Sequence, residues 1–153
     1  MNDASVATIS HGPDDNRRDA YRAPAVQPVH VSVRPTLEVA ARRHAGGGGR
    51  TVPVSADMHD ISALGIAVVL TLEADALLDT DELLLEFELP GDGQWVQLPA
   101  RVRYRELNGD SVRYGCAWMA ERAEQRRNLD TVMEYVMGCQ RRSLRQRRVA
   151  KAK

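Results

Sequence analysis

Apolar side chains recur at every second position in several short stretches of this chain, and at helical spacing in one. Val29, Val31 and Val33 alternate with His30 and Ser32, which predicts a strand over 26–33 closed by Pro35. Leu83, Leu85, Phe87 and Leu89 oppose Glu82, Glu86 and Glu88. Leu98, Ala100, Val102 and Tyr104 oppose Arg101, Arg103 and Arg105, and Val112, Tyr114, Cys116 and Trp118 form a further face. With shorter β segments at 51–55 and 65–70, the set is 26–33, 51–55, 65–70, 82–89, 96–105 and 111–119. Six short strands with no helix between them predict a mainly β fold, a six-stranded antiparallel barrel. Asn108-Gly109 joins the last two as a hairpin, expected as a type I′ turn because both residues tolerate positive φ.

Near the end the period changes. Leu129, Val132, Met133, Val136 and Met137 fall at i, i+3, i+4, i+7 and i+8, which predicts a C-terminal amphipathic α-helix over 121–142 capping an open end of the barrel. Glu121 and Glu124 near its start, and Arg141, Arg142 and Arg145 near its end, suit the macrodipole.

Outside these elements the chain divides simply. Residues 1–16 are poor in large apolar side chains and read as a disordered leader. Residues 37–50 contain Gly46 to Gly49 and read as a flexible glycine-rich insertion; they lack the Gly-Lys-Ser/Thr ending of a phosphate loop. Residues 143–153 form a basic tail expected to fray.

At 153 residues and 43% hydrophobic, the chain makes one domain with a modest core, and no apolar run is long enough to span a membrane. The two cysteines are too few for a disulfide framework, and the first residues do not form a secretory signal, so a cytoplasmic location is expected. The formal net charge of zero conceals a segregation: ten acids and no Lys or Arg lie from Asp57 to Asp92, and seven bases and no acid from Arg141 to Lys153.

An enzyme needs a nucleophile with a base, paired carboxylates or a metal cluster. His11, His30, His44 and His59 are scattered, no Cys-x-x-Cys or His-x-x-x-His occurs, and Cys116 sits on a predicted core face. No enzymatic activity, cofactor or metal is expected. Two constellations carry chemistry instead. Arg18 and Arg22 form an Arg-x-x-x-Arg pair, preceded by Arg17, directly before the first strand. Asp60, Ser62 and Gly65 form Asp-x-Ser-x-x-Gly, for which this composition gives only about 0.04 chance occurrences, so this motif carries the information.

This order of elements resembles the PilZ domain family: Arg-x-x-x-Arg ahead of the first strand, then Asp-x-Ser-x-x-Gly, a six-stranded barrel and a C-terminal helix. The likeness covers residues 17–142 and includes the Tyr-Gly-Cys-Ala-Trp segment at 114–118; thirty-seven residues separate Arg22 from Asp60, a long spacing that the glycine-rich insertion accounts for. The resemblance implies a bacterial receptor for cyclic di-GMP, with 17–25 as the ligand-binding loop and Arg17, Arg18, Arg22, Asp60, Ser62 and Gly65 as ligand residues. Arg17 would favour a stacked ligand dimer. The chemistry agrees: an arginine fork matches a phosphate or the O6/N7 edge of guanine, and a carboxylate accepts from its N1–H and N2–H edge. Ser62 can add a hydrogen bond, Gly65 permits positive φ or close approach to a flat base, and Tyr21 can pack the segment onto the barrel. Ordering of the leader around the ligand would alter the surface offered to a downstream protein in motility, biofilm or secretion control. The alternative is a barrel that binds nucleic acid or another anionic surface through its basic tail, although few aromatics are available for base stacking.

Overall fold

A computed structural model describes residues 20–45, 52–91 and 93–152. The leader, Arg17, Arg18 and the four consecutive glycines lie outside the described residues. Seven strands form one sheet: β1 (Ala23–Pro24), β2 (His30–Pro35), β3 (Val54–Ile61), β4 (Gly65–Thr71), β5 (Glu82–Glu88), β6 (Trp95–Asn108) and β7 (Ser111–Trp118). Neighbours run antiparallel in the order β1-β3-β2-β5-β6-β7-β4, and a further β3–β4 pairing closes six of them into a barrel. The fold class expected from the alternating pattern is therefore the one observed.

The inward faces are the predicted ones. Val31, Val33, Leu83, Leu85, Phe87, Leu98, Ala100, Val112, Tyr114 and Cys116 are buried together in one core. Phe87 and Trp118 stack at 6.3 Å between centroids. On the outside of β5, however, the glutamates are not merely solvated. Glu86 pairs with Arg34 at 3.0 Å and Glu82 with Arg101 at 3.0 Å, so two of the β5 glutamates are neutralised within the barrel.

The strand expected over 26–33 begins only at His30 and runs to Pro35, and the separate short strand β1 lies ahead of the expected range. Pro28 has no N–H to give a ladder, so residues 25–29 bow away between β1 and β2, although the Val29 carbonyl still accepts from Met58 N at 2.9 Å. The strand expected at 51–55 instead runs over Val54–Ile61; its alternation is interrupted where Met58 pairs with Val68 but Asp60 pairs with Ala67, leaving His59 as the extra residue of a β-bulge. A second bulge lies in β6, where Val102 pairs with Cys116 and Tyr104 with Gly115, leaving Arg103 extra. The β6–β7 turn differs too. Asn108 pairs with Ser111, so Gly109 and Asp110 are the central residues, and only Gly109 has positive φ (57°), the pattern of type II′ rather than I′.

Three helices complete the described residues. Where a flexible insertion was expected over 37–50, Leu37–Ala45 forms α1, with Val39 buried. Leu72–Leu78 forms α2 between β4 and β5, a connection expected to lack a helix; the Thr71 hydroxyl caps it by accepting from Ala74 N at 3.1 Å. Its run of seven residues is too short for a helical period to stand out. Arg43 of α1 donates to the carbonyls of Leu78 and Asp79 at the end of α2.

The third helix, α3, runs from Ala123 to Lys151, nine residues past the end read from the sequence. Val132 and Val136 are buried, with Leu129, Tyr135 and Cys139 packed beside them, and this stripe lies against β6 and β1. Met133 and Met137, expected on the same face, are exposed. The buried stripe follows Tyr135 and Cys139 instead, so the helix is rotated relative to the predicted wheel.

Candidate functional site

Register brings the two sequence motifs together. Pro24 pairs with Asp60 and Ala23 with Ile61, so Arg22, one residue before β1, arrives beside the Asp60–Gly65 segment. Tyr21 is half-buried against the core, as expected, and holds that entry in place.

Arg22, Asp60, Ser62, Leu64 and Gly65 line one side of an open pocket of about 330 Å³ on the outer face of the barrel. Arg103, Tyr104 and Gly115 line the other side. The floor is Ala67 of β4 with Gly115 and Ala117 of β7, a row of small residues on outward positions of adjacent strands. Small side chains there leave a shallow, flat surface, whereas the walls carry cations, a carboxylate and an aromatic ring.

Both bulges create this wall. By strict alternation Asp60 shares the face of Ala56 and Met58, and Tyr104 that of Leu98, Ala100 and Val102, all of which point inward or partly so. The extra residues His59 and Arg103 reverse the sense, and Asp60 and Tyr104 turn out into the pocket. Arg105, beyond the second bulge, lies over the Tyr114 ring at 5.4 Å and pairs with Asp75 of α2.

The motif residues differ in what they do. Asp60 is held by neighbours: Arg113 Nη2 stands 3.7 Å and His59 Nε2 3.9 Å from its Oδ2. Ser62 is buried, and its hydroxyl shapes the turn, accepting from Leu64 N and Gly65 N at 3.2 Å each and donating to the Gly65 carbonyl at 3.3 Å. The Ser62 carbonyl accepts from Trp118 Nε1 at 3.1 Å, fixing the turn to β7.

Gly65 has a structural reason for being glycine. It does not adopt positive φ, and a Cβ there would lie 1.9 Å from the Cys116 carbonyl oxygen. The close approach anticipated to a ligand base is made to the neighbouring strand. Gly115 is glycine for the pocket's sake: a Cβ there would lie 1.9 Å from the Tyr104 ring, which therefore lies flat against the bare backbone of β7.

Arg103, Tyr104, Arg113 and Gly115 are site residues that the motifs did not indicate. The small outward residues Gly65, Ala67, Gly115 and Ala117 form only two cross-strand pairs, and Val69 and Arg113 follow on the same face, so the row gives no clear signal in the sequence. Cys116 meets the pocket from the core side, and burial pushes its thiol up to about 12. Chemically, the site offers guanidinium forks for an anion, a carboxylate for a pair of N–H donors, and an aromatic face. No group of three or more metal-ligating side chains occurs among the described residues.

Known proteins agree with this architecture. Similar solved structures include the Bacillus subtilis inhibitor of motility MotI/DgrA, at 22% identity and TM-score 0.57 over 86% of this chain; the chain spans only 53% of that protein's length. The PilZ domain of CeSA from a cellulose-synthesizing bacterium matches at 23% identity and TM-score 0.50, over 78% of this chain and 98% of that one. The PilZ domain of Escherichia coli YcgR, solved with c-di-GMP, matches at 13% identity and TM-score 0.49, over 83% and 97%. No curated protein matches the sequence. The family model for the PilZ domain spans residues 16–135, from ahead of the arginine pair to the buried turns of α3, and the chain belongs to that family.

Proposed function

We propose that the chain is a receptor for cyclic di-GMP that acts as an adaptor and not as an enzyme. The observation that carries this reading is the convergence of Arg22 and Asp60, far apart in sequence, on one open pocket with a small-residue floor. Arg22 and Arg103 supply forks for a phosphate or the O6/N7 edge of guanine, and Asp60 accepts from the opposite edge. Tyr104 adds a face against which a base can stack. Ser62 and Gly65 act mainly by holding the turn on which Asp60 is presented. Arg17 and Arg18 complete the cation set in this reading, closing over the ligand from the segment before Tyr21.

The relay follows from where that segment is anchored. Tyr21 packs on the core next to Arg22, and α3 lies against β1. A ligand that pulls Arg22 inward therefore acts on a segment in contact with α3, and ligand state can alter the outer surface of that helix. The partner that reads it is, in this proposal, a component of motility, biofilm or secretion control.

Isothermal titration with cyclic di-GMP tests the function. Saturable binding with two ligands per chain is expected if a stacked dimer occupies the site, and absence of binding by the native protein overturns the proposal. Arg22→Ala and Asp60→Ala should each cost about 1–3 kcal/mol, roughly ten- to a hundred-fold in affinity.

A further inference from the structure

The last two turns of α3 have no packing partner among the described residues. From Leu144 to Lys151 every residue is exposed, whichever way it points around the helix. A helix of eight residues is marginal by itself in water, so this one persists as the continuation of turns anchored through Val132, Val136 and Cys139. Its charge is one-sided: Arg145, Arg147, Arg148 and Lys151 follow Arg141 and Arg142, and no acid occurs after Glu134.

The barrel handles its own charges differently. Glu82, Glu86, Asp60 and Asp75 are each paired with an arginine of the barrel. Among the described residues the ion pair made by α3 is Arg122 with Glu38, at the opposite end of the helix. Four acids of the acidic stretch are thus paired within one molecule.

The same helix exposes an apolar line. Met133, Met137 and Leu144 lie at i, i+4 and i+11, within about 40° of one another at about 100° per residue. Arg141, Arg147 and Arg148 flank that line, and Lys151 lies on it about two turns beyond Leu144. Nucleic-acid phosphates would reward the bases and not the methionines and leucine, whereas an anionic bilayer rewards both, since apolar side chains enter the headgroup region and arginines reach the lipid phosphates.

We infer that the projecting C-terminal end of α3 is a docking element for anionic lipid membranes, separate from the pocket on the barrel. Binding is electrostatic in the main, with Met137 and Leu144 adding apolar contact. A basic side chain near an anionic surface contributes about five-fold in affinity, so removing four should cost more than about 100-fold.

The test uses the full chain and vesicles of phosphatidylcholine, alone or equimolar with phosphatidylglycerol, in co-sedimentation. Expected are binding to the phosphatidylglycerol vesicles only, its loss on changing Arg145, Arg147, Arg148 and Lys151 together to Gln, and a further dependence on Leu144→Asn. Vesicle binding that survives the fourfold change, or binding to duplex DNA with none to vesicles, overturns the inference. Circular dichroism shows whether the fourfold variant keeps its helix. Calorimetry with cyclic di-GMP on that variant should give the native affinity, so the two proposals fail independently.

Discussion

Arg113 Nη2 lies 3.7 Å from the Oδ2 of Asp60, reaching across β4 from β7 to the strand that carries the motif carboxylate. The Arg113 Nε is buried without a hydrogen-bond partner, so the side chain is committed to this position at a cost. In the proposed receptor, Arg113 therefore serves to orient Asp60. Replacing it with Met should weaken cyclic di-GMP binding by about ten-fold, about 1.4 kcal/mol, and Arg113→Lys should recover part of that loss. Unchanged affinity in Arg113→Met, measured by calorimetry, would remove Arg113 from the site.

The two glycines of the site should respond differently to alanine. At position 65 the added Cβ meets a backbone carbonyl that cannot swing aside, so Gly65→Ala should destabilise the fold by about 3 kcal/mol or more. At position 115 it meets the half-exposed Tyr104 ring, which can rotate away; stability should fall by about 1 kcal/mol while ligand affinity falls further. Denaturant titration paired with calorimetry separates these outcomes, and equal destabilisation of both variants would count against the assignment.

Ser62→Ala should act on the turn before it acts on the ligand. It leaves the N–H groups of Leu64 and Gly65 without their acceptor, a cost of about 1–3 kcal/mol. Ser62→Thr, which keeps the oxygen, should fall between alanine and native in melting temperature. A Ser62→Ala protein as stable as native but unable to bind would make Ser62 a direct ligand contact instead.

Burial pushes the Cys116 thiol up to about 12, well above the ordinary thiol range near pH 9. Its contribution to stability is complete below pH 9, where folded and unfolded thiols are both protonated. It is lost as pH rises from there to about 12, because the unfolded chain releases the proton first. About 4 kcal/mol is at stake at about 1.4 kcal/mol per pH unit. Urea titrations at pH 8 and pH 11 should show a smaller alkaline loss in Cys116→Ala than in the native protein. Iodoacetamide at pH 8 should label the half-buried Cys139 and spare Cys116 until urea is added; rapid labelling of both would contradict the burial.

How much of this could be read from the sequence depends on how regular each segment is. Strands β5 and β7 keep strict alternation, and their buried sets, from Leu83 to Phe87 and from Val112 to Cys116, were legible throughout. Strand β3 was misplaced because His59 breaks its period and charged side chains mask Ala56 and Met58. Helix α3 was found but set at the wrong rotation: Met133 and Met137 are as hydrophobic as the residues that are buried, and only contact with β6 and β1 selects Tyr135 and Cys139 over them. In the site, Asp60 and Arg22 were legible because their spacing forms motifs. Arg103, Tyr104, Arg113 and Gly115 were not, since their convergence is created by strand pairing and has no local pattern.

The single extra residues at His59 and Arg103 make the pocket a matter of phase. Each shifts its strand by one position, and a one-position shift exchanges inside for outside. Were His59 to take a regular place opposite Ala67, the Asp60 carboxylate would be aimed at the core, and were Arg103 to take one opposite Gly115, the Tyr104 hydroxyl would be too. Neither regular pairing would alter the sequence, so the Asp-x-Ser-x-x-Gly motif would remain intact while its carboxylate faced the wrong side of the wall. Whether such a barrel can bind a ligand on this face therefore depends on two strands each leaving one residue out of the ladder as much as on the motif that they carry.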